Sequence, residues 1–278
     1  MLTTTVDGLW VLQVLSGIEV VAPELGLRPH LPSVETADMA LAHPIADELR
    51  AAGVITDAGG VDEAVLEWLT VLSRRDVALL IYAQTPHPGH RAGTNPAGAL
   101  RPVVGCPGTQ RIMVRLSGVG TASSEESAGM LISSQIERLC GSMKAASLRP
   151  VTLDVAELLA SVRDRASLRA FLLNQRIDGD QIGVLTMAAD TDQSAAASVV
   201  ALQSGVSGGP ARTHIDQGAV TIMDTPQGRL VSEQVTRGGK KSWMIISPGS
   251  AANIASAVLK MVRRLPAEDE WYSHRKVV

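Results

Sequence analysis

The chain has 278 residues and a formal charge of −3, enough length for one large domain or two ordinary ones. Its aromatic residues are four tryptophans, two tyrosines and one phenylalanine. Because single-stranded nucleic acids are bound by stacking their bases on aromatic rings in a basic groove, this composition argues against a nucleic-acid partner.

The sequence also gives expectations about the compartment and the cysteines. No apolar run reaches the roughly 18 residues of a membrane-spanning helix, and the first residues lack the pattern of a signal peptide. We therefore expect a cytosolic protein with no membrane insertion. Cys106 and Cys140 are too far apart for a CxxC site and are predicted to be buried thiols.

The first elements follow from apolar periodicity. A short strand at residues 3–6 precedes a buried helix at 8–18, and a helical pattern resumes at 38–52. Asp62 is predicted to cap the next helix, because an apolar stripe follows it at helical spacing. Residues 76–84 are mostly β-branched or apolar and are predicted to form a strand.

The middle of the chain begins with a long loop at residues 85–98, which is rich in Pro and Gly. Strands are predicted at 100–106 and 110–116. Ser123 and Glu126 then have the spacing of a capping box and predict the start of an amphipathic helix.

The second half shows the same kinds of element. Thr152 is predicted to cap a helix, and Asp178 and Gln181 have capping-box spacing before another. Short turn sequences join four predicted strands and indicate an antiparallel meander: 195–203, 219–224, 229–236 and 242–246. The last helix is predicted to follow Ser247, with Pro248 in its first turn.

The two halves resemble each other in pattern. The segment at residues 68–84 is similar to that at 184–203, and each half ends with a strand and an amphipathic helix. We therefore predict a single domain, residues 1–278, that is built from two pseudo-repeat halves at 1–150 and 151–278.

Few residues suggest catalysis. His87 and His90 lie three residues apart in the Pro- and Gly-rich loop without a third ligand nearby in sequence, whereas zinc sites use three or four. The Gly-rich segments at 118–120 and 238–239 lack phosphate-binding spacing. We predict no catalytic residue, no metal and no cofactor. The other histidines are expected to be surface or capping side chains: His30, His43, His214 and His274.

The segment at residues 194–205 carries small side chains at both parities of a predicted strand. One face of such a strand would be shallow and only mildly polar, and could accept the apolar tip of another protein. The alternative is a central strand that helices cover on both faces. The sequence alone favours neither interpretation.

Three segments together resemble a known family. Residues 6–13 read VDGLWVLQ, residues 22–29 read APELGLRP, and residues 247–250 read SPGS before Leu265-Pro266 and Trp271. In this order the chain resembles the EspG proteins of mycobacterial type VII (ESX) secretion. Trp10, Trp68 and Trp271 are predicted to be core anchors.

The resemblance implies an α+β fold, in which a central antiparallel sheet with pseudo-two-fold symmetry is flanked by helices and helical bundles. It also implies a cytosolic, non-enzymatic chaperone that binds the PPE subunit tip of a PE–PPE heterodimer and directs it to its secretion system. We expect the client to contact the central sheet at the following residues: Val199, Ala201, Gln203, Ser204, Val206, Ser207, Ser232 and Gln234.

Three alternatives stay open at this point. A small hydrolase could use His87 or His90 on the loop, and a scaffold subunit could assemble through its sheet edges. A weak homodimer of the free chaperone is the third.

Overall fold

A computed structural model describes residues 2–22, 24, 27–84, 113–116, 124–205, 213–216, 218–237 and 241–271. Side chains at 83–84, 113–116, 139–140 and 237 are not described. Several predictions lie outside these residues: the loop at 85–98 with His87 and His90, the strand at 100–106 with Cys106, the Gly-rich segments at 118–120 and 238–239, Ser123, Val206, Ser207, His274 and the thiol of Cys140.

The described residues form nine strands and nine α-helices. Their order in the chain is β1 Leu2–Thr5, α1 Val6–Ser16, α2 Ala37–Leu41, α3 Pro44–Ala51, α4 Glu63–Arg74, β2 Val77–Gln84, β3 Met113–Leu116, α5 Glu125–Cys140, β4 Val151–Asp154, α6 Val155–Ser161, α7 Arg165–Asn174, α8 Gly179–Ala188, β5 Ala195–Ser204, β6 Thr213–Ile215, β7 Val220–Thr225, β8 Gly228–Arg237, β9 Lys241–Pro248 and α9 Ala251–Val262.

The chain divides into two compact units. Unit 1 comprises residues 1–75 and 103–120, and unit 2 comprises residues 76–102 and 121–278. None of the helices in the described part of the chain is long and apolar enough to cross a membrane.

Unit 1 is built around helix α1. The Thr5 hydroxyl accepts a hydrogen bond from the backbone N–H of Gly8 and so caps this helix. Strands β1 and β3 pair antiparallel, and the core contains the fully buried Leu12 and Leu69. The single helix predicted at 38–52 is instead two, because Pro44 begins α3 and His43 caps it.

Several predicted helix starts differ from the structure by one or two residues. Helix α5 begins after Ser124, whose capping-box partner is the hydroxyl of Ser127 and not a glutamate. Helix α6 is capped by Asp154, because Thr152 lies within β4 and pairs with β9. Asp178 precedes α8 as predicted, but it forms no capping bond and pairs with Arg149.

Unit 2 contains a seven-stranded sheet with the order β2-β5-β7-β8-β9-β4, and β6 pairs with β5 beyond the end of β7. Every pairing is antiparallel, which confirms the predicted meander of β7, β8 and β9. Strand β9 continues to Pro248, which pairs with Leu230. Helix α9 therefore begins only after Ser250, and Pro248 is not in its first turn as predicted.

The two faces of this sheet are covered differently. Helices α5 and α9 pack on one face, which we call the covered face. Val258 of α9 shares a core with the sheet residues Val199 and Val220. On the other face, α7 and α8 cover only the region around Leu230 and Ile246. The sequence analysis missed α7, although Asp164 and Ser167 form a capping box at its start.

Candidate functional site

Strand β5 lies inside the sheet, between β2 on one side and β6 and β7 on the other. Its side chains alternate between the two faces, as the pleat of a strand requires. Val199 and Ala201 are fully buried on the covered face, whereas Ser198 and Val200 are partly exposed on the other. Residues paired directly across strands point to the same face. The register therefore defines a surface that we call the open face: Leu80, Tyr82, Ser198, Val200, Ile215, Thr221, Ser232 and Gln234.

One half of the open face is apolar. Tyr82 on β2 is 52% exposed and Ile215 on β6 is 53% exposed, so both side chains are accessible to a partner. Tyr82 lies opposite Ser198, and Ile215 lies opposite Leu202. Four residues of β5 separate these positions, or about 13 Å along the strand. Leu80 and Val200, which lie opposite each other, fill this interval.

The other half of the open face carries small polar side chains. The hydroxyls of Ser198 and Thr221 are hydrogen-bonded across β5 and β7 at 3.3 Å. Ser232 lies opposite Thr221 in β8, and Gln234 follows two residues later on the same face. None of these four side chains is charged, so a partner could cover them without burying an unpaired charge.

This geometry suits the binding of a protein segment with one apolar and one polar side. The apolar half offers exposed area for hydrophobic contact, and the polar half offers hydroxyl and amide groups for hydrogen bonds. Among the described residues, no group of three His, Cys, Asp or Glu side chains is placed to hold a metal ion.

The structure separates the eight predicted contact residues. Val199, Ala201 and Gln203 point to the covered face and are at most 2% exposed, because odd-numbered positions of β5 face the helices. Ser204, at the end of β5, is 8% exposed, while Val206 and Ser207 lie outside the described residues. Only two of the eight lie on the open face: Gln234, which is partly exposed, and Ser232, which is 8% exposed.

Six residues of the open face were not predicted from the sequence: Leu80, Tyr82, Ser198, Val200, Ile215 and Thr221. The alternation of β5 was visible in the sequence, but its phase was not, since small side chains occupy both parities. Tyr82 could not be placed there, because its pairing with Ser198 joins strands that are more than 100 residues apart.

The segment that follows α9 is hydrogen-bonded to the covered face of the sheet. The Ala267 backbone N–H donates to the Gln203 side-chain oxygen at 2.9 Å, and the Arg264 guanidinium donates to Asp216 at 2.7 Å. Glu125 accepts a hydrogen bond from Arg263 at 2.7 Å. The Arg263 guanidinium holds the pKa of the Glu125 carboxyl below its usual value.

The three tryptophans that were predicted to be core anchors are buried to different degrees. Trp271 is 6% exposed and belongs to the core beneath the covered face, as expected. Its indole N–H also lies 3.4 Å from a Glu125 carboxylate oxygen. Trp68 and Trp10 are only partly buried and pack at the edge of the unit 1 core.

Unit 1 contains a buried ionisable pair that the sequence analysis did not predict. His30 is 4% exposed and not at the surface, because its Nδ1 lies 2.9 Å from the Glu35 carboxylate. Glu35 also accepts a hydrogen bond from the Leu31 backbone N–H at 2.8 Å. These two bonds, with the Leu31 bond contributing more, lower the pKa of Glu35 to about 2. The pair is integral to the fold of this segment.

Comparison with known proteins gives consistent results. The sequence model of the EspG family matches residues 5–260. The chain is 51% identical to the ESX-2 secretion-associated protein EspG2 of Mycobacterium tuberculosis, over the whole of both chains. It is 26% identical to the ESX-5 secretion-associated protein EspG5 of the same species, with 99% of this chain and 97% of the relative covered.

A solved structure shares the fold. It is that of the Mycobacterium tuberculosis type VII secretion system chaperone EspG5 in complex with a PE25–PPE41 dimer. The TM-score is 0.68 at 20% identity, and the match covers 96% of this chain and 97% of that one. The likeness confirms the predicted EspG-like α+β fold.

Proposed function

Since the chain belongs to the EspG family, we propose that it is a chaperone of ESX secretion that binds the PPE subunit of a PE–PPE heterodimer. The chaperone would hold the heterodimer soluble and direct it to its cognate secretion system. The solved relative of the same fold is described as a chaperone in complex with a PE–PPE dimer. The PE25–PPE41 dimer is the partner of that relative, which is 20% identical to this chain. The client of this chain is to be identified by experiment.

The open face is the observation that carries the proposal for this chain. It is a partly exposed sheet surface with an apolar half at Tyr82 and Ile215 and a hydrogen-bonding half at Ser198 and Thr221. A helical tip with one apolar side could cover the first half while its polar side met the second. Covering such a tip hides an apolar patch that would otherwise drive self-association.

Of the eight residues first predicted as client contacts, we propose that Gln234 contacts the client directly and that Ser232, which is 8% exposed, borders this contact. Val199, Ala201 and Gln203 would support the sheet from below without touching the client, because they face α9 and the segment that follows it. Ser204, the last residue of β5, and Val206 and Ser207, which follow in sequence, stay proposed client contacts.

We propose that the client comes from an ESX-2 system. The support is the 51% identity with an ESX-2 secretion-associated protein, against 26% with an ESX-5 protein. The binding would take place in the cytoplasm and without catalysis.

We also propose that the halves 1–150 and 151–278 are pseudo-repeats. In each half the first strand pairs antiparallel with a later one, β1 with β3 and β4 with β9. The next helix in sequence after each of these later strands is α5 or α9. Strands β2 and β5, each of which follows a helix, pair with each other.

Co-expression tests the proposed function. The chain should form a soluble 1:1:1 complex with a PE–PPE pair encoded at an ESX-2 locus, measured by size exclusion with light scattering. Failure to bind every PE–PPE pair of that locus would contradict the proposal.

Two further measurements separate the alternatives. A hydrolase would lose activity when His87 and His90 are both replaced by Ala, whereas client binding by a chaperone should not change. A scaffold subunit would form higher-order homo-oligomers in light scattering without any client.

A further inference from the structure

Helices α5 and α9 form a groove of about 590 Å³ on the helix side of the unit 2 sheet. Met130 lies in it and is 61% exposed, so its side chain is accessible to a partner. Gly129 and Leu259 of α9 line the groove beside it, and a Cβ at this glycine would lie 3.5 Å from Leu259, an ordinary contact distance.

The rim of the groove is acidic. Glu126 and Glu137 are exposed on α5, and within the described part of the chain their carboxylates have no hydrogen bond or ion pair. Glu125 is different, because Arg263 of α9 neutralises it at 2.7 Å. Eleven residues separate Glu126 from Glu137, or about 16 Å along the helix. The groove thus has an apolar centre between two unpaired negative charges.

We propose that this groove is a second docking surface, for a segment of another protein that presents an apolar side chain between two basic ones. The apolar side chain would cover Met130, and the basic side chains would pair with Glu126 and Glu137. Charge complementarity selects this occupant, since a neutral or acidic segment would leave both carboxylates unpaired or repelled.

The position of the groove would allow two proteins to bind the chain at the same time. The groove lies on the helix side of the sheet and the open face on the other side, so a client on the open face leaves the groove accessible. The chain would then hold its client and a second protein at the same time. This simultaneous binding rests on the proposed chaperone function. The second protein would use it to receive the client for export.

The test uses a mycobacterial strain in which a variant is the only copy of the chaperone. Met130→Asp, and separately the double variant Glu126→Gln/Glu137→Gln, should leave the co-purified amount of a PE–PPE client unchanged. Each should lower the amount of that client in the culture filtrate at least tenfold. Val71→Asp and Glu48→Gln/Glu67→Gln are the matched controls, because these exposed side chains lie elsewhere, on α3 and α4 of unit 1.

A photo-crosslinking amino acid in place of Met130 gives a readout that does not depend on export. It should join the chain to a protein other than the client, and the product should disappear in the Glu126→Gln/Glu137→Gln background. Unchanged export would overturn the proposal, and so would loss of client binding in the groove variants. A crosslink to the chain's own residues 272–278 or to a second copy would also overturn it. Failure of the unaltered chain to co-purify any client would instead contradict the proposed function.

Discussion

The two faces of β5 carry similar residues with opposite surroundings. Val199 is fully buried beneath α9, while its neighbour Val200 is partly exposed between Leu80 and the polar residues of the open face. One step along a strand moves a side chain to the other side of the sheet. In this protein that step separates a residue buried beneath α9 from one that is partly exposed on the open face, where we propose that the client binds.

Breaking the charged pair on the covered face should have the largest effect. Arg229 and Asp224 are 3% and 5% exposed, joined by two hydrogen bonds of 2.6 and 2.9 Å, and Arg229 also donates to the Gly141 carbonyl. Arg229→Met removes the guanidinium that makes these two hydrogen bonds to the buried carboxylate, which should cost about 3–5 kcal/mol of unfolding free energy. Urea unfolding measures this loss of unfolding free energy. A loss under about 1 kcal/mol would contradict the described role of the pair.

The valine neighbours give the sharpest comparison of the two faces. Val199→Ala should lower the free energy of unfolding by about 2 kcal/mol, because it leaves a cavity under α9. Val200→Ala should cost about 0.5 kcal/mol or less, since its side chain is already partly exposed. Urea unfolding of both variants checks the assignment, and equal costs would refute it.

A smaller loss of unfolding free energy is expected from a substitution at Gln203, where the covered face contacts the segment after α9. Gln203→Ala removes the acceptor of the Ala267 N–H and should cost about 1 kcal/mol. Hydrogen exchange at Ala267 should accelerate as well. Gln234→Ala, on the open face, is the matched control and should change stability by less than about 0.5 kcal/mol.

The smallest effect is a dependence on pH at Glu125. Its pKa in the folded chain lies below the usual 4.5, chiefly because Arg263 binds the carboxylate. The pair therefore stabilises the fold fully above pH 4.5, and this contribution is lost as pH falls through the lower folded pKa. The melting temperatures of the unaltered chain and of Glu125→Gln should differ above that pH and converge in acid. A constant difference would show that the carboxylate does not act through its charge.

The sequence predicted most of unit 2, because turns and apolar periods are local. The meander of β7, β8 and β9 followed from short turns between apolar runs. The start of α9 was misplaced because Pro248 still pairs with Leu230, a contact between residues far apart in sequence. The same limit applies to Thr152, which the pairing of β4 with β9 holds in a strand.

The candidate site was harder to predict than the fold. Its position on β5 was expected, but the phase of the strand depends on which face α9 covers, and small side chains at both parities hide that choice. Tyr82 and Ile215 join the surface only through pairing with β5. Such pairings are tertiary, so local patterns do not contain them.

Calorimetric titration of a PE–PPE client onto two variants tests the central claim, that the open face binds the client, most directly. Tyr82→Ala should weaken binding at least tenfold, which corresponds to about 1.4 kcal/mol. Val199→Ala, measured where it is fully folded, should bind as the unaltered chain does. Unchanged affinity of Tyr82→Ala together with weakened binding of folded Val199→Ala would contradict the account.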